Sequence, residues 1–264
     1  MPVATNPRDG VELRWDAVGE GTPLLLVHGS ALSKAIWRGF GYTRAFQHSH
    51  RVITMDLRGH GRSGKPHHAA SYTMDTLAAD VLAVLDAAQA PVVHYGGYSV
   101  GARLGFALAA AAPERIRSFT SLGGSYRIEP GSLAALFFPG YDQALASGGM
   151  PAFVAGWEAR LGQALDGNTR AAFLANDAAA LRAYMAQTQS DPAVSEDALA
   201  RMDVPALLMA GSRDLRCWED SRRAAAIMPR ARFVALPGRS HGSTLVPPEP
   251  VLARWLPFLQ RCET

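Results

Sequence analysis

Apolar residues along this chain fall into two alternating rhythms. Short unbroken runs read as strands buried on both faces: Pro23-Leu24-Leu25-Leu26-Val27, Arg51-Val52-Ile53-Thr54-Met55, Pro91-Val92-Val93-His94-Tyr95, Val204-Pro205-Ala206-Leu207-Leu208-Met209-Ala210 and Ala231-Arg232-Phe233-Val234-Ala235-Leu236. Residues 115–124 form another such run, ending in Gly123-Gly124. Between them lie helical patterns at 35–47, 100–112, 219–228 and 246–260, the last with Pro247, Pro248 and Pro250 near its start and Pro257 as a kink or end. A further helix follows Thr73, which can cap it; Asp75 favours its first turn, and Leu77, Val81, Leu82 and Leu85 share one face. Val11 to Trp15 alternates apolar and polar residues, the pattern of a half-exposed edge strand, and the glycines after it suit a hairpin. Regular alternation of strand and helix predicts an α/β fold with a mostly parallel central sheet flanked by helices.

From residue 125 to residue 200 the alternation stops. This stretch carries helical patterns, including Leu161 to Leu165 and Ala171 to Met185, and no strand pattern. The expected organisation is a core of residues 1–124 and 201–264 with a helical cap insertion, 125–200, over one end of the sheet. Most aromatics of the insertion read as packing. Phe137, Phe138, Trp157 and Tyr184 are the candidates for lining an apolar substrate pocket.

Candidate chemistry centres on Tyr95-Gly96-Gly97-Tyr98-Ser99-Val100-Gly101-Ala102. A serine on a sharp strand-to-helix turn is held in a strained conformation with its oxygen exposed, and small flanking residues let strand and helix approach. The helix N-terminus also directs N–H groups toward a nearby oxyanion. Gly29 turns the chain after its strand so that the Ser30 N–H is free to serve as one oxyanion donor, with the Val100 N–H as the other. Asp214 follows a strand directly, and His241 lies in the loop after the last strand. Parallel strands end on the same side, so Ser99, Asp214 and His241 can converge although distant in sequence. His28, before a glycine at a strand end, reads as a structural hydrogen-bonder, because one base suffices for this chemistry. Asp56-Leu57-Arg58-Gly59-His60-Gly61-Arg62-Ser63-Gly64 lacks the Lys-Ser/Thr ending of a phosphate loop, so its charges most simply tie a turn together. His67-His68 has no cysteine or carboxylate at metal-ligand spacing and reads as solvated loop.

These features together resemble the α/β-hydrolase fold family, whose marks are the Gly-x-Ser-x-Gly elbow and the order serine, acid, histidine. The resemblance spans nearly the whole chain and includes His28-Gly29, the 56–64 loop and Gly211-Ser212-Arg213-Asp214. It is similar in particular to small bacterial members with a single helical cap that act on esters, lactones or carbon–carbon bonds. Tyr98 and Ala102 depart mildly from the residues frequent in relatives. A serine nucleophile argues against epoxide hydrolases and haloalkane dehalogenases, whose elbow carries aspartate. Gly123-Gly124-Ser125-Tyr126 offers no alternative acid, and Glu219 and Asp220 fall at the start of a helix, where acids suit the dipole, leaving Asp214. The resemblance implies a Ser99-His241-Asp214 serine hydrolase that takes a small to medium, largely apolar carboxylic ester through an acyl-enzyme. Its alternatives are a carbon–carbon bond hydrolase, an enol-lactonase or a cofactor-free perhydrolase or haloperoxidase; from another class, a ligand receptor with slow turnover. No organic cofactor and no metal is required by this chemistry.

Composition narrows the setting. With 264 residues, 48% hydrophobic and 19% charged, the chain suits one globular α/β unit rather than a disordered or membrane class. A net charge of +3 with spread arginines gives no nucleic-acid patch. Cys217 and Cys262 make neither a disulfide framework nor a metal motif. The first residues lack a signal pattern, and no apolar run nears the roughly 18 residues of a membrane span. The expectation is a cytoplasmic protein acting on a small molecule, with oligomeric state open.

Overall fold

A computed structural model describes residues 2–191 and 194–263. Among them, eight strands form one sheet in the order β1-β2-β4-β3-β5-β6-β7-β8. These are β1 Val3–Thr5, β2 Glu12–Val18, β3 Thr22–Val27, β4 His50–Met55, β5 Val93–Tyr98, β6 Ile116–Leu122, β7 Ala206–Gly211 and β8 Ala231–Leu236. β1 and β2 pair antiparallel, as do β2 and β4; from β4 to β8 every pairing is parallel.

The unbroken apolar runs have a simple physical cause. Successive side chains of a strand face opposite sides, so a sheet covered on both faces needs both sets apolar. In β3, Leu25 and Val27 pack into one cluster with Ile53, Leu104 and Phe119, while Leu24 and Leu26 pack into a second with Val52, Trp255 and Leu259. The first layer is built on α3 (Met74–Ala87), α4 (Val100–Ala111) and α10 (Leu215–Ile227). The second is built on α1 (Ala35–Gly39), α2 (Tyr42–Phe46) and α11 (Glu249–Arg261). Thr73 caps α3 as expected, its hydroxyl accepting the Thr76 N–H at 3.2 Å.

Several local expectations are corrected. β2 is not an edge, because β1 covers its outer side, and no hairpin links it to β3, because β4 lies between them. The alternation in residues 11–15 reports half-burial and is blind to which strand becomes the neighbour. The helix expected over 35–47 is two short ones, separated where Gly41 takes a φ of 84°. Pro257 neither ends nor starts α11 but sits inside it, on the exposed side.

Between β6 and β7 the described residues hold helices and no strand: α5 (Ser132–Leu136), α6 (Tyr141–Leu161, with a non-helical break at Gly149), α7 (Gly167–Leu174), α8 (Ala178–Ser190) and α9 (Glu196–Arg201). Of Leu161 to Leu165 only Leu161 is helical: α6 ends there, and Gly162 takes the left-handed conformation. The pattern over Ala171 to Met185 is divided between α7 and α8, the second opening at Asp177, whose carboxylate accepts the Ala180 N–H at 2.9 Å. No helix of the described residues is long and apolar enough to cross a membrane.

Candidate active site

β5 ends at Tyr98 and α4 begins at Val100, so the whole reversal falls on Ser99, at φ 56° and ψ −116°. A non-glycine residue at positive φ is strained and persists only where its surroundings impose it. Two glycines do so here. A Cβ at Gly97 would strike the backbone of Gly101, and one at Gly101 would strike the carbonyl of Val27 in β3. Without those side chains strand and helix close on each other, and the Ser99 N–H is secured on the Leu122 carbonyl at 3.0 Å.

The loops after β7 and β8 bring the other two predicted residues to this point. His241 Nε2 lies 2.9 Å from Ser99 Oγ, and His241 Nδ1 lies 2.6 Å from Asp214 Oδ2. Asp214 stands at the start of α10 but its carboxylate caps none of that helix's N–H groups, leaving it to the histidine. Burial raises the Asp214 carboxyl's pKa, yet the His241 hydrogen bond and charge, with lesser help from Cys217 and Arg216, bring it below the usual carboxylate value. Burial lowers the His241 pKa, but Tyr98 and the Asp214 carboxylate outweigh it and hold the imidazole well above 6.5. The rival Asp220 is engaged elsewhere, accepting from Ser125 at 2.5 Å and Arg127 at 2.9 Å.

Ser30 and Val100 flank the serine on the cavity wall, and neither backbone N–H donates to an acceptor among the described residues. Ala31 next to Ser30 is itself at φ 59°, a second strained residue beside the serine. Ser30 Oγ is 2.7 Å from the Tyr184 hydroxyl, which connects this loop to α8. His28 is used structurally: Nδ1 is 2.8 Å from the Gly29 carbonyl, and Nε2 accepts the Leu57 N–H at 3.0 Å. The 56–64 loop is tied by its own charges, Asp56 accepting the N–H groups of Lys34 and Arg62 at 2.8 and 3.1 Å. His67 is exposed but does find a carboxylate, Asp177, at 3.2 Å. Its partner is 110 residues away in sequence, beyond any spacing rule.

Ser99 opens into a cavity of about 800 Å³, within the ordinary range of small-molecule sites. Leu32, Leu133, Leu136, Phe137, Trp157, Leu161, Phe173 and Tyr184 line it, most of them from the helices between β6 and β7. Three of the four predicted aromatics are therefore wall residues. Phe138 is not: it packs on Phe153, with ring centroids 5.5 Å apart, and against Gly156. Phe173 takes its place in the wall. Adjacent positions on a chain leaving a helix point in different directions, which the composition of 137–138 does not reveal.

Two further wall residues carried no sequence signal. Arg103, one turn along α4 from Ser99, donates to the carbonyls of Thr188 and Asp191 at 3.1 and 3.2 Å. It thereby satisfies the C-terminal end of α8, where carbonyls lack intrahelical partners. Cys217 is buried with Sγ 3.8 Å from His241 Nδ1. Two clusters among the described residues have donor sets able to hold a metal ion: Asp214 with Cys217 and His241, and His50 with His94 and Glu263.

Residues 22–245 match the alpha/beta hydrolase fold family. Three curated relatives are 38% identical to stretches of the chain, which spans less than half the length of each. One is the rhodomycin D methylesterase DauP of Streptomyces sp. strain C5, matched over 133 residues, 49% of this chain and 45% of the relative. The non-heme haloperoxidase of Rhodococcus erythropolis is 28% identical over 281 residues, covering 98% of this chain and 100% of the relative. The enol-lactonase of Burkholderia xenovorans LB400 shares the fold, with a TM-score of 0.83 and 23% identity over 98% of this chain and 100% of that one. With the match running from β3 to the loop that carries His241, the chain belongs to the α/β-hydrolase fold family.

Proposed function

We propose that the protein is a serine carboxylic ester hydrolase in which Ser99 is the nucleophile, His241 the general base and acid, and Asp214 the group that orients the histidine. The observation that carries this is the unbroken chain Ser99 Oγ, His241 Nε2, His241 Nδ1, Asp214 Oδ2, at 2.9 and 2.6 Å, opening into an apolar-walled cavity. Ser99 Oγ attacks the ester carbonyl carbon as its proton passes to His241 Nε2. The carbonyl oxygen becomes an oxyanion held by the Ser30 and Val100 N–H groups, each removed donor costing about 10²–10³ in rate in comparable sites. Collapse expels the alcohol, which takes the proton from His241 and leaves the acyl group on Ser99. Water, deprotonated by His241, then releases the acid and restores the serine. Asp214 stays ionised throughout and stabilises the imidazolium.

The helices from α5 to α9 act as the cap of this site, choosing the acyl group and excluding water. A small to medium, largely apolar acyl group suits a wall of leucines and aromatic rings. The relatives named as a methylesterase, a haloperoxidase and an enol-lactonase support the choice among ester, lactone and perhydrolase chemistry without favouring one. Incubation with an aryl ester and with a serine-directed phosphonate tests the reading: sustained turnover with Ser99 labelling is expected. A stalled adduct or no labelling would instead make the protein a ligand receptor built on the fold.

A further inference from the structure

Three side chains remote in sequence meet at the end of the sheet opposite Ser99. His50 opens β4, His94 is the second residue of β5, and Glu263 follows α11. Five residue steps, almost all along β5, lead from His94 to Ser99, about 16 Å at a strand's rise. Glu263 Oε1 lies 3.1 Å from His94 Nε2 and 3.5 Å from His50 Nε2. One ligand atom from each residue falls within 4.8 Å of the other two. Both histidines are buried, at 4% and 0% exposure.

Each of the three is oriented from behind by a hydroxyl. His94 Nδ1 is 2.7 Å from Ser118 Oγ, His50 Nδ1 is 2.8 Å from Ser49 Oγ, and Glu263 Oε2 accepts the Thr22 hydroxyl at 2.9 Å. In the tautomer that donates Nδ1–H to its serine, each imidazole turns an Nε2 lone pair toward Glu263 Oε1; in the other tautomer His94 Nε2–H donates to Glu263 Oε1. The first arrangement sets three acceptors side by side, which a cation between them would bind. His50 Nε2, buried and without a hydrogen-bond partner, is the atom left unmet. A hydrogen bond on the far nitrogen, as Ser118 and Ser49 provide here, is how ligating histidines are commonly held.

We propose that His50, His94 and Glu263 form a site for a divalent first-row metal ion of the zinc type. Two imidazoles and a carboxylate match zinc's preferences, whereas magnesium and calcium favour all-oxygen sets. Zinc bonds of about 2.0–2.1 Å place neighbouring tetrahedral ligand atoms roughly 3.3 Å apart, and the observed 3.1 and 3.5 Å bracket that spacing. The ion ties the starts of β4 and β5 to the segment after α11, with water in the fourth position. Its role is structural, since it stands far from Ser99.

The test uses the full chain, treated with a chelator and freed of it, then titrated with Zn²⁺ by calorimetry. One equivalent is taken up at this site, and at free zinc about a hundred times Kd the unfolding midpoint rises by roughly 5 °C. Glu263→Gln, a surface change that preserves the residue's shape, weakens this uptake by at least about tenfold. His94→Gln abolishes it, and should that variant fail to fold, Glu263→Gln carries the test alone. Cobalt in place of zinc gives no thiolate charge-transfer band. Cys217→Ser leaves uptake and thermal shift unchanged. The proposal is overturned if the parent takes up no stoichiometric zinc, if Glu263→Gln binds like the parent, or if Cys217→Ser removes the uptake, which would place the ion beside Asp214 and His241 instead.

Discussion

The Tyr98 hydroxyl donates to the backbone carbonyl of His241 at 2.9 Å, while its ring stacks on the His241 imidazole with centroids 5.5 Å apart and planes 29° from parallel. The residue before the elbow serine thus grips the loop that supplies the proposed base, and a departure from the residues frequent in relatives acquires a positional role. Tyr98→Phe keeps the ring and removes one of the two donors to this carbonyl, the Thr244 N–H at 3.1 Å remaining, at a cost of about 0.5–1.5 kcal/mol. We expect a fall in kcat of up to about tenfold with KM little changed, and a lower unfolding midpoint. Equal kcat and equal midpoint in parent and variant would remove Tyr98 from this role.

Ser99→Ala and His241→Ala each should lower turnover by a factor on the order of 10⁶, acting as a unit. Asp214→Asn should cost about 10⁴, because the amide favours the wrong histidine tautomer. Asp220→Asn removes the charge and one of the two oxygens that accept from Ser125 and Arg127 and should act on stability much more than on rate. Steady-state rates on the best ester, read beside thermal unfolding, decide the matter: a fully active Ser99→Ala variant sinks the assignment.

The pH dependence follows from the raised His241 pKa. A protonated imidazole cannot accept the serine proton, so kcat/KM should rise with pH through a limb centred above the ordinary histidine value of about 6.5. Asp214, with its pKa lowered, remains ionised across that limb. Linkage runs the other way. A group whose folded pKa is raised contributes stability that is full below its unfolded value and is lost as pH rises through the folded one. Activity and the His241 contribution to stability should therefore diverge as pH rises above the ordinary histidine value of about 6.5, measured as kcat/KM and unfolding midpoint. An acid limb centred below about 6 would contradict this.

Truncating Phe137, Trp157 or Tyr184, which line the cavity, should reorder preference among acetyl, butyryl, octanoyl and benzoyl esters. Phe138→Ala should cost about 3–5 kcal/mol of stability without changing the order, because that ring packs on Phe153 away from the cavity. An unchanged rank order in all three wall variants, each still folded, would move acyl selection to the loops around Ser30 and Arg216.

Arg103 connects α4 to the end of α8 through two carbonyls. Arg103→Met keeps much of the stem and removes both donors, so the helices above the serine should loosen. KM should rise several-fold more than kcat falls, with faster amide exchange in α8 than in the sheet. Exchange equal to the parent's throughout α8 would show that Arg103 does not hold it.

What the sequence determined by itself is whatever depends on neighbours along the chain. Runs such as Leu24 to Val27 declare strands covered on both faces, because a period of two with both phases apolar has no other use in a soluble sheet. Gly97, Ser99 and Gly101 announce their turn within five residues, and Asp214 and His241 are marked by their places just after strands. The tertiary structure alone decided everything set by packing across distance. β4 came to lie between β2 and β3, Phe173 faced the cavity where Phe138 turned away, and Cys217 came within 3.8 Å of His241. Arg103 found its carbonyls 85 and 88 residues away, and His94 met Glu263 169 residues away. Hydrophobic period encodes burial and local bond geometry encodes turns, but neither encodes which buried face meets which, and that pairing is settled only when the whole core closes.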